Sequence, residues 1–386
     1  MTRLVHLTTV DMSLELLLGP QLEAFAKAGY EVVAMSADGP YVEAIEARGI
    51  RHVPVRNATR SMDPRRDLLA IEELRRQFRR LKPDIVHTHN PKPGLYGRIA
   101  ARAARVPVVV NTVHGLYALP EDRWRKRAVV YGFERAASVC SDAELVQNPE
   151  DVVTLRRTLH EPASKVVLLG NGVDLERFAP DPSGERRAQV RRALGIDDGT
   201  VVVGAVGRLV LEKGYAELLR AWQAVVSAHP NAVLLVIGPD DPDKADAVPR
   251  QLIDSACSAG VRFLGLRPDV DDLYHAMDVY VLASHREGFP RSAMEAAATG
   301  LPIVATDIRG CRQVVTDGAN GRLVPVGDEQ RLAGAVERLV ADSELRRSWG
   351  EASLERAQRE FDQQRCIDIT LATYDRLLTA RGRPVP

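Results

Sequence analysis

The sequence predicts an α/β protein made of two halves, each a parallel sheet covered by helices on both faces. Three observations predict it: short β-branched runs alternate with longer Ala/Leu/Arg segments, the alternation comes in two series, and a Pro/Gly-rich stretch separates them. The first series places strands at 4–7, 31–34, 85–88, 106–112, 138–141 and 165–169. The second places them at 201–206, 232–237, 261–264, 279–282, 302–305 and 321–324. Runs this uniformly apolar belong to strands buried on both faces. Between the series, Phe178-Ala179-Pro180-Asp181-Pro182-Ser183-Gly184-Glu185 cannot continue a core element and reads as a linker. The expected domains are therefore 1–180 and 181–365. A last segment, 361–378, carries helical apolar spacing at Ile367, Ile369, Leu371, Tyr374, Leu377 and Leu378. It packs on a domain surface, and spacing does not say which.

Length and charge bound the function. At roughly 100 to 200 residues per domain, 386 residues make two or three domains. Equal numbers of cations and anions, 52 each, exclude the global electrostatic footprint of a nucleic-acid binder and the bias of a disordered tail. Cys140, Cys257, Cys311 and Cys366 are scattered, so neither a disulfide framework nor a zinc site is indicated and a reducing, cytoplasmic setting is expected. The N-terminus runs straight into a strand pattern without signal-peptide architecture, and no stretch approaches a membrane span. Charge is uneven locally: residues 60–135 hold 17 Lys+Arg against 8 Asp+Glu. Two readings stand, solvated helix faces with salt bridges, or a surface for an anionic membrane or a diphosphate-bearing acceptor.

Chemistry concentrates in four segments. In Val206-Gly207-Arg208-Leu209-Val210-Leu211-Glu212-Lys213-Gly214, a buried strand ends in a glycine that admits close backbone approach. Arg208 then offers a forked contact to phosphate oxygens and Lys213 a compact charge. In Glu287-Gly288-Phe289-Pro290-Arg291-Ser292-Ala293-Met294-Glu295, Pro290 suits the first turn of an Ala-rich helix that Thr299-Gly300 stops. The donors at that helix start suit a diphosphate, and a carboxylate beside them suits sugar hydroxyls. The strand ending at Val113 delivers His114 to the carboxyl edge of a sheet, where ligands of open α/β sheets collect. His87-Thr88-His89 has the look of a metal pair but lacks an acidic or third histidine ligand nearby in sequence, so no metal is expected. Asn171-Gly172-Val173-Asp174 reads as a turn. Asp241-Pro242-Asp243 resembles a metal-holding Asp-x-Asp but reads better as a polar surface loop.

Two absences discriminate. No G-x-G-x-x-G follows the first strand, which counts against a dinucleotide-binding dehydrogenase, and no G-x-x-x-x-G-K-[ST] supports a P-loop phosphoryl transferase.

Taken together, Gly207-Arg208-Leu209 with Glu212-Lys213-Gly214, Glu287-Gly288-Phe289-Pro290 with Glu295, Asn171-Gly172-Val173-Asp174 and Asn111-Thr112-Val113-His114-Gly115 resemble family 4 of the retaining glycosyltransferases. The stretches His89-Asn90-Pro91-Lys92-Pro93-Gly94 and 306–312 look most like the branch that builds capsule, O-antigen and related bacterial surface glycans. The resemblance implies a GT-B fold, two Rossmann-like domains with parallel sheets facing a central cleft, with a terminal helix (366–386) crossing back to the first domain. It implies that Arg208 and Lys213 neutralise the donor diphosphate, that Glu295 holds the ribose hydroxyls and that Glu287 contacts the donor sugar. Gly207, Gly288, Phe289, Pro290, Asn171 and Leu266, the last by a base contact, complete the donor site. His114 would meet the sugar, and Ser13, His89 and Lys92 would lie on the acceptor side. Many relatives carry Gly-Gly in the first strand-to-helix loop, where this chain has Asp11-Met12-Ser13 and departs from the family's pattern.

The implied activity is retaining transfer of a hexosyl or N-acetylhexosaminyl group from a nucleotide-diphosphate sugar, with UDP favoured, to a glycan, lipid-linked or small-molecule hydroxyl. Front-face displacement needs no metal and no cofactor beyond the nucleotide sugar as co-substrate. No nucleic-acid partner is expected, and the setting is cytoplasmic, with the inner membrane face as a docking surface. A sugar-nucleotide epimerase and a non-catalytic nucleotide-sugar-binding protein would share these features and remain as alternatives.

Overall fold

The computed structural model describes residues 1–59, 63–89, 91–118, 122–241, 244 and 246–386. The chain forms two compact units, Met1–Gly170 with Gln364–Pro386, and Asn171–Gln363. The first holds a seven-stranded sheet in the order β3-β2-β1-β4-β5-β6-β7. Its strands are β1 Arg3–Val10, β2 Glu31–Ala37, β3 Arg51–Pro54, β4 Ile85–His89, β5 Val108–Val113, β6 Ala143–Val146 and β7 Val166–Leu168, all paired in parallel. Successive residues serve opposite faces, as the pleat requires. Leu4, Ile85 and Val108 join Cys366, Ile367, Tyr374 and Leu378 of the helix Gln363–Ala380 on one side. Val5, Val86 and Val109 meet Leu74, Phe78, Tyr96 and Ala100 on the other.

The second unit repeats the plan with six parallel strands in the order β10-β9-β8-β11-β12-β13. They are β8 Val201–Val206, β9 Ala232–Ile237, β10 Val261–Gly265, β11 Val279–Leu282, β12 Ile303–Thr306 and β13 Gly321–Val324. In both sheets the strand order reverses beside the first strand of the unit. A crevice therefore opens outside the carboxyl ends of β1 and β4 in one unit, and of β8 and β11 in the other.

Two expectations need correction, and one strand lies outside the expected set. Residues 138–141 are not a strand: the helix Trp124–Ser138 runs into them, and the strand is Ala143–Val146. The β-branched run there is too short to outcompete the preceding helix. The edge strand Arg51–Pro54 went unforeseen because its charged and polar residues break the apolar pattern. The units divide at Gly170 rather than near Pro180, since Val173 and Phe178 are buried in the second core with Leu273, Tyr274 and Phe361. The last helix joins the first unit.

Candidate active site

The second unit's switch point gathers several of the residues singled out above. After β8, Gly207 donates its amide to Ile237 O at 2.8 Å and accepts from the Tyr215 hydroxyl at 2.9 Å. A side chain at Gly238, where φ is +148°, would stand 1.9 Å from Gly207 O, so the two backbones can approach only because Gly238 has none. The single turn Leu211–Lys213 ends in Gly214 at φ +71°, where a Cβ would lie 1.9 Å from Ala283 O. That turn is thereby pressed onto the end of β11, and His285 N donates to Glu212 O at 2.9 Å. Lys213 is delivered against Glu287: Nζ to Oε1 is 2.6 Å, and the Ser284 hydroxyl donates to the same oxygen at 2.8 Å. Arg208 points instead to Asp241, 3.4 Å away, so the expected polar loop supplies a carboxylate partner. Asp243 lies outside the described residues.

Glu295 sits on the helix Arg291–Ala298, 8% exposed. Pro290 stands just before that helix rather than in its first turn. The Tyr274 hydroxyl donates to Glu295 Oε2 at 2.9 Å and Arg291 Nε to Oε1 at 3.1 Å. Burial, reinforced by Glu295, pushes the Tyr274 hydroxyl well up, so it keeps its proton and serves as a donor. Each carboxylate oxygen retains a further lone pair. Tyr280 reaches Ser292 Oγ at 2.7 Å, which fixes the helix start to the sheet. Asn171 Nδ2 donates to Phe289 O at 3.1 Å, bracing the loop that also holds Gly288, and Phe289 stacks edge-on to Phe361. Leu266 follows β10 and is 59% exposed.

In the first unit, the segment after β1 is filled differently from a glycine-rich loop. The short helix Asp11–Ser13 carries Asp11, whose Oδ2 accepts from Tyr41 N at 2.6 Å, and leaves Ser13 half-buried. Lys92, in the first turn of Pro91–Ala103, pairs with Asp67 at 2.6 Å. His89 ends β4 and is buried; His114 follows β5. Asn90 between His89 and Lys92 lies outside the described residues.

These two histidines belong to a larger cluster. The register sets His6 of β1 against His87 of β4, and alternation puts His89 on the same face. His89 Nδ1 meets His114 Nε2 at 3.1 Å, and His89 Nε2 meets His6 Nδ1 at 2.9 Å. The Tyr374 oxygen lies 3.3 Å from His6 Nε2 and 2.5 Å from His87 Nδ1, and His87 Nε2 meets Thr112 Oγ1 at 2.7 Å. Burial drives the rings toward neutrality: His6 falls to about 3, His114 to about 4, and His87 and His89 well below the ordinary value. The third histidine that the H-x-H pair lacked is thus His6, and ligand nitrogens of the three lie within 4.8 Å of one another. Every one of those nitrogens already has a ring or hydroxyl partner, so a cation would displace hydrogen bonds rather than fill empty positions. His6 and Tyr374 escape sequence reasoning because only strand pairing and the docking of the last helix bring them here. Ser284 and Tyr274 escape it too, having no signature beyond residue type.

Residues 21–177 match the family model described as Glycosyltransferase Family 4, and residues 186–356 the one described as Glycosyl transferases group 1. Over 383 residues the chain is 28% identical to the capsular polysaccharide biosynthesis glycosyltransferase CapM of Staphylococcus aureus, covering 94% of each. Over 284 residues it is 32% identical to the UDP-Gal:alpha-D-GlcNAc-diphosphoundecaprenol alpha-1,3-galactosyltransferase of Escherichia coli, covering 72% of each. Among solved structures, Anabaena Alr3699/HepE in complex with UDP is similar at a TM-score of 0.80 and 21% identity, over 97% of this chain and 100% of that one. At that identity the likeness speaks for the fold.

Proposed function

The chain belongs to family 4 of the glycosyltransferases and has the two parallel-sheet units of a GT-B fold, and from that premise we propose a retaining transferase that moves a hexosyl or N-acetylhexosaminyl group from a UDP-sugar to a hydroxyl of a glycan or lipid-linked sugar. The observation that carries the reading is the Lys213–Glu287 pair at the carboxyl ends of β8 and β11, with Gly207 and Arg208 directly after β8 and Glu295 on the helix beyond. Breaking the sugar–phosphate bond develops negative charge on the leaving diphosphate and positive charge on the sugar. Lys213 and Arg208 stabilise the first, together with the amides at the start of Arg291–Ala298. Glu287 binds the sugar and Glu295 the ribose. The acceptor hydroxyl enters on the leaving-group face and passes its proton to the departing phosphate, so neither a metal nor a second carboxylate nucleophile is required. The E. coli relative, whose name pairs UDP-Gal with an alpha linkage and a diphosphoundecaprenol acceptor, supports the base and the lipid-linked acceptor.

Stereochemistry tests this directly. The anomeric proton of the product, read by NMR, is expected to show the α configuration of the donor. A β-linked product, or a covalent glycosyl adduct on Glu287, would overturn front-face transfer.

A lipid-linked acceptor also needs a protein that reaches its membrane. No described helix is long and apolar enough to cross one. The helix Trp124–Ser138 instead exposes Trp124 (71%), Val129 and Phe133 (56%), with Arg125 stacked over the Trp124 ring at 5.5 Å. Exposed aromatics beside arginines suit the headgroup region of an anionic bilayer. The chain is expected to float with phosphatidylglycerol-containing vesicles but not with pure phosphatidylcholine, and Trp124→Ala with Phe133→Ala to abolish flotation. Equal recovery with both vesicle types would contradict an electrostatic dock.

A further inference from the structure

We propose that Asp241 is a built-in competitor of the donor diphosphate: it holds Arg208 while the site is free, gives Arg208 up to the incoming diphosphate, and reclaims it as the product nucleotide leaves. The proposal deepens the reading above and rests on it in one respect, that Arg208 meets the diphosphate. Asp241 touches no substrate and acts through Arg208, so it is a positioning residue that sets the affinity of the site.

The two cations that follow β8 are held in different ways. Lys213 Nζ lies 2.6 Å from Glu287 Oε1, and the Ser284 hydroxyl fixes the same carboxylate at 2.8 Å. An ammonium has three N–H bonds, so Lys213 can keep Glu287 and still donate to a phosphate oxygen. Arg208 meets Asp241 by a contact of Nη1 to Oδ2 at 3.4 Å, with the two side chains 38% and 27% exposed. A guanidinium and a carboxylate can form two short parallel hydrogen bonds, and this pair forms one long, partly solvated contact instead. A phosphate offers the guanidinium that forked geometry with more negative charge, so it displaces a carboxylate held this loosely.

The backbone makes the exchange a side-chain event. Leu209 N donates to Pro239 O at 3.0 Å, Leu211 N to Asp246 O at 2.7 Å and Val248 N to Leu209 O at 3.4 Å. These bonds tie the segment after Arg208 to the chain on either side of Asp241, and Gly207 N holds Ile237 O at 2.8 Å just ahead of both. Asp241 therefore stays within reach when its carboxylate is released, and no loop has to refold for it to return. Its place in the reaction is to oppose retention of the product, since the diphosphate of UDP can leave Arg208 to a waiting partner.

The test is calorimetric titration of the full chain and of Asp241→Asn, an isosteric change on a partly exposed side chain, with UDP, uridine and inorganic pyrophosphate. Asp241→Asn is expected to bind UDP and pyrophosphate about two- to fivefold more tightly, the range of an exposed ion pair, and uridine as before. The inhibition constant of UDP in the transfer reaction falls by the same factor. In an Arg208→Gln background the added Asp241→Asn change is expected to give no gain, which is the pairwise coupling a double-mutant cycle isolates. Equal or weaker binding of UDP by Asp241→Asn would overturn the proposal and make Asp241 a brace for Arg208. A gain that survives Arg208→Gln would overturn it in favour of a general charge effect. UDP binding that needs a divalent cation and is lost in Asp241→Asn would overturn it in favour of a metal ligand. A chain that binds pyrophosphate in the expected order but neither UDP nor any sugar nucleotide would strike the nucleotide reading and leave the exchange standing. A chain that binds none of these ligands would strike both.

Discussion

Replacing Lys213 by alanine is expected to lower kcat roughly 10²- to 10³-fold, the typical cost of removing one fixed charge or donor from a developing anion. The side chain has no larger structural task that would blur the result. It is partly exposed, lies on a single turn, and among the described residues forms an ion pair with Glu287. Once it is gone, Glu287 keeps the Ser284 hydroxyl at 2.8 Å, so the loop retains a tether and the melting temperature should scarcely move. Lys213→Arg is expected to recover only part of the rate, because a planar fork does not reproduce a compact ammonium on a turn pinned by Gly214. Steady-state kinetics with saturating donor measure this. An unchanged kcat in Lys213→Ala would remove Lys213 from the leaving-group site and shift the burden to Arg208 and the helix start.

Glu295→Ala is expected to weaken binding of the donor nucleotide by roughly 10- to 100-fold, the worth of hydrogen bonds to a charged acceptor. In the free chain each oxygen accepts one hydrogen bond, from Tyr274 and from Arg291, so the carboxylate is already oriented and loses little freedom on binding. The fold should survive, since Ser292 O, 3.1 Å from the Tyr274 hydroxyl, can take the proton that Glu295 releases, and the helix around Glu295 is otherwise largely alanine and methionine buried in the core. Calorimetric titration with UDP and with 2′,3′-dideoxy-UDP separates the roles. If Glu295 meets the ribose, the substitution costs UDP its advantage over the dideoxy analogue. An equal loss for both ligands would assign Glu295 to the structure of the helix instead.

The parts of this architecture that depend on local pattern were legible in the residues themselves. Eleven of the runs read as strands overlie strands, because a strand buried on both faces leaves a continuous apolar run. Glu287 in a loop and Glu295 within a helix followed from Pro290 and Thr299-Gly300, which punctuate the chain by their own backbone preferences. What was not legible depends on register and return. His6 lies 81 residues before His87 and meets it only because β1 and β4 are neighbours. Tyr374 arrives on a helix whose spacing predicted packing but not a destination. The sequence offers Arg208 as a phosphate contact without showing its partner in the chain, Asp241, a carboxylate whose position depends on the path of the loop after β9. The lesson of Pro180 is similar: proline and glycine mark where an element stops, whereas Val173 and Phe178 show that a core can claim residues ahead of the punctuation.

The carboxyl ends of β8 and β11 are expected to bind a nucleotide without a metal. Isothermal calorimetry of the wild-type chain against UDP, GDP and ADP, with EDTA present throughout, tests it most directly. Saturable binding of one UDP per chain is expected, with GDP and ADP weaker. Failure of all three nucleotides to bind, or binding of UDP that appears only when a divalent cation is restored, would contradict it.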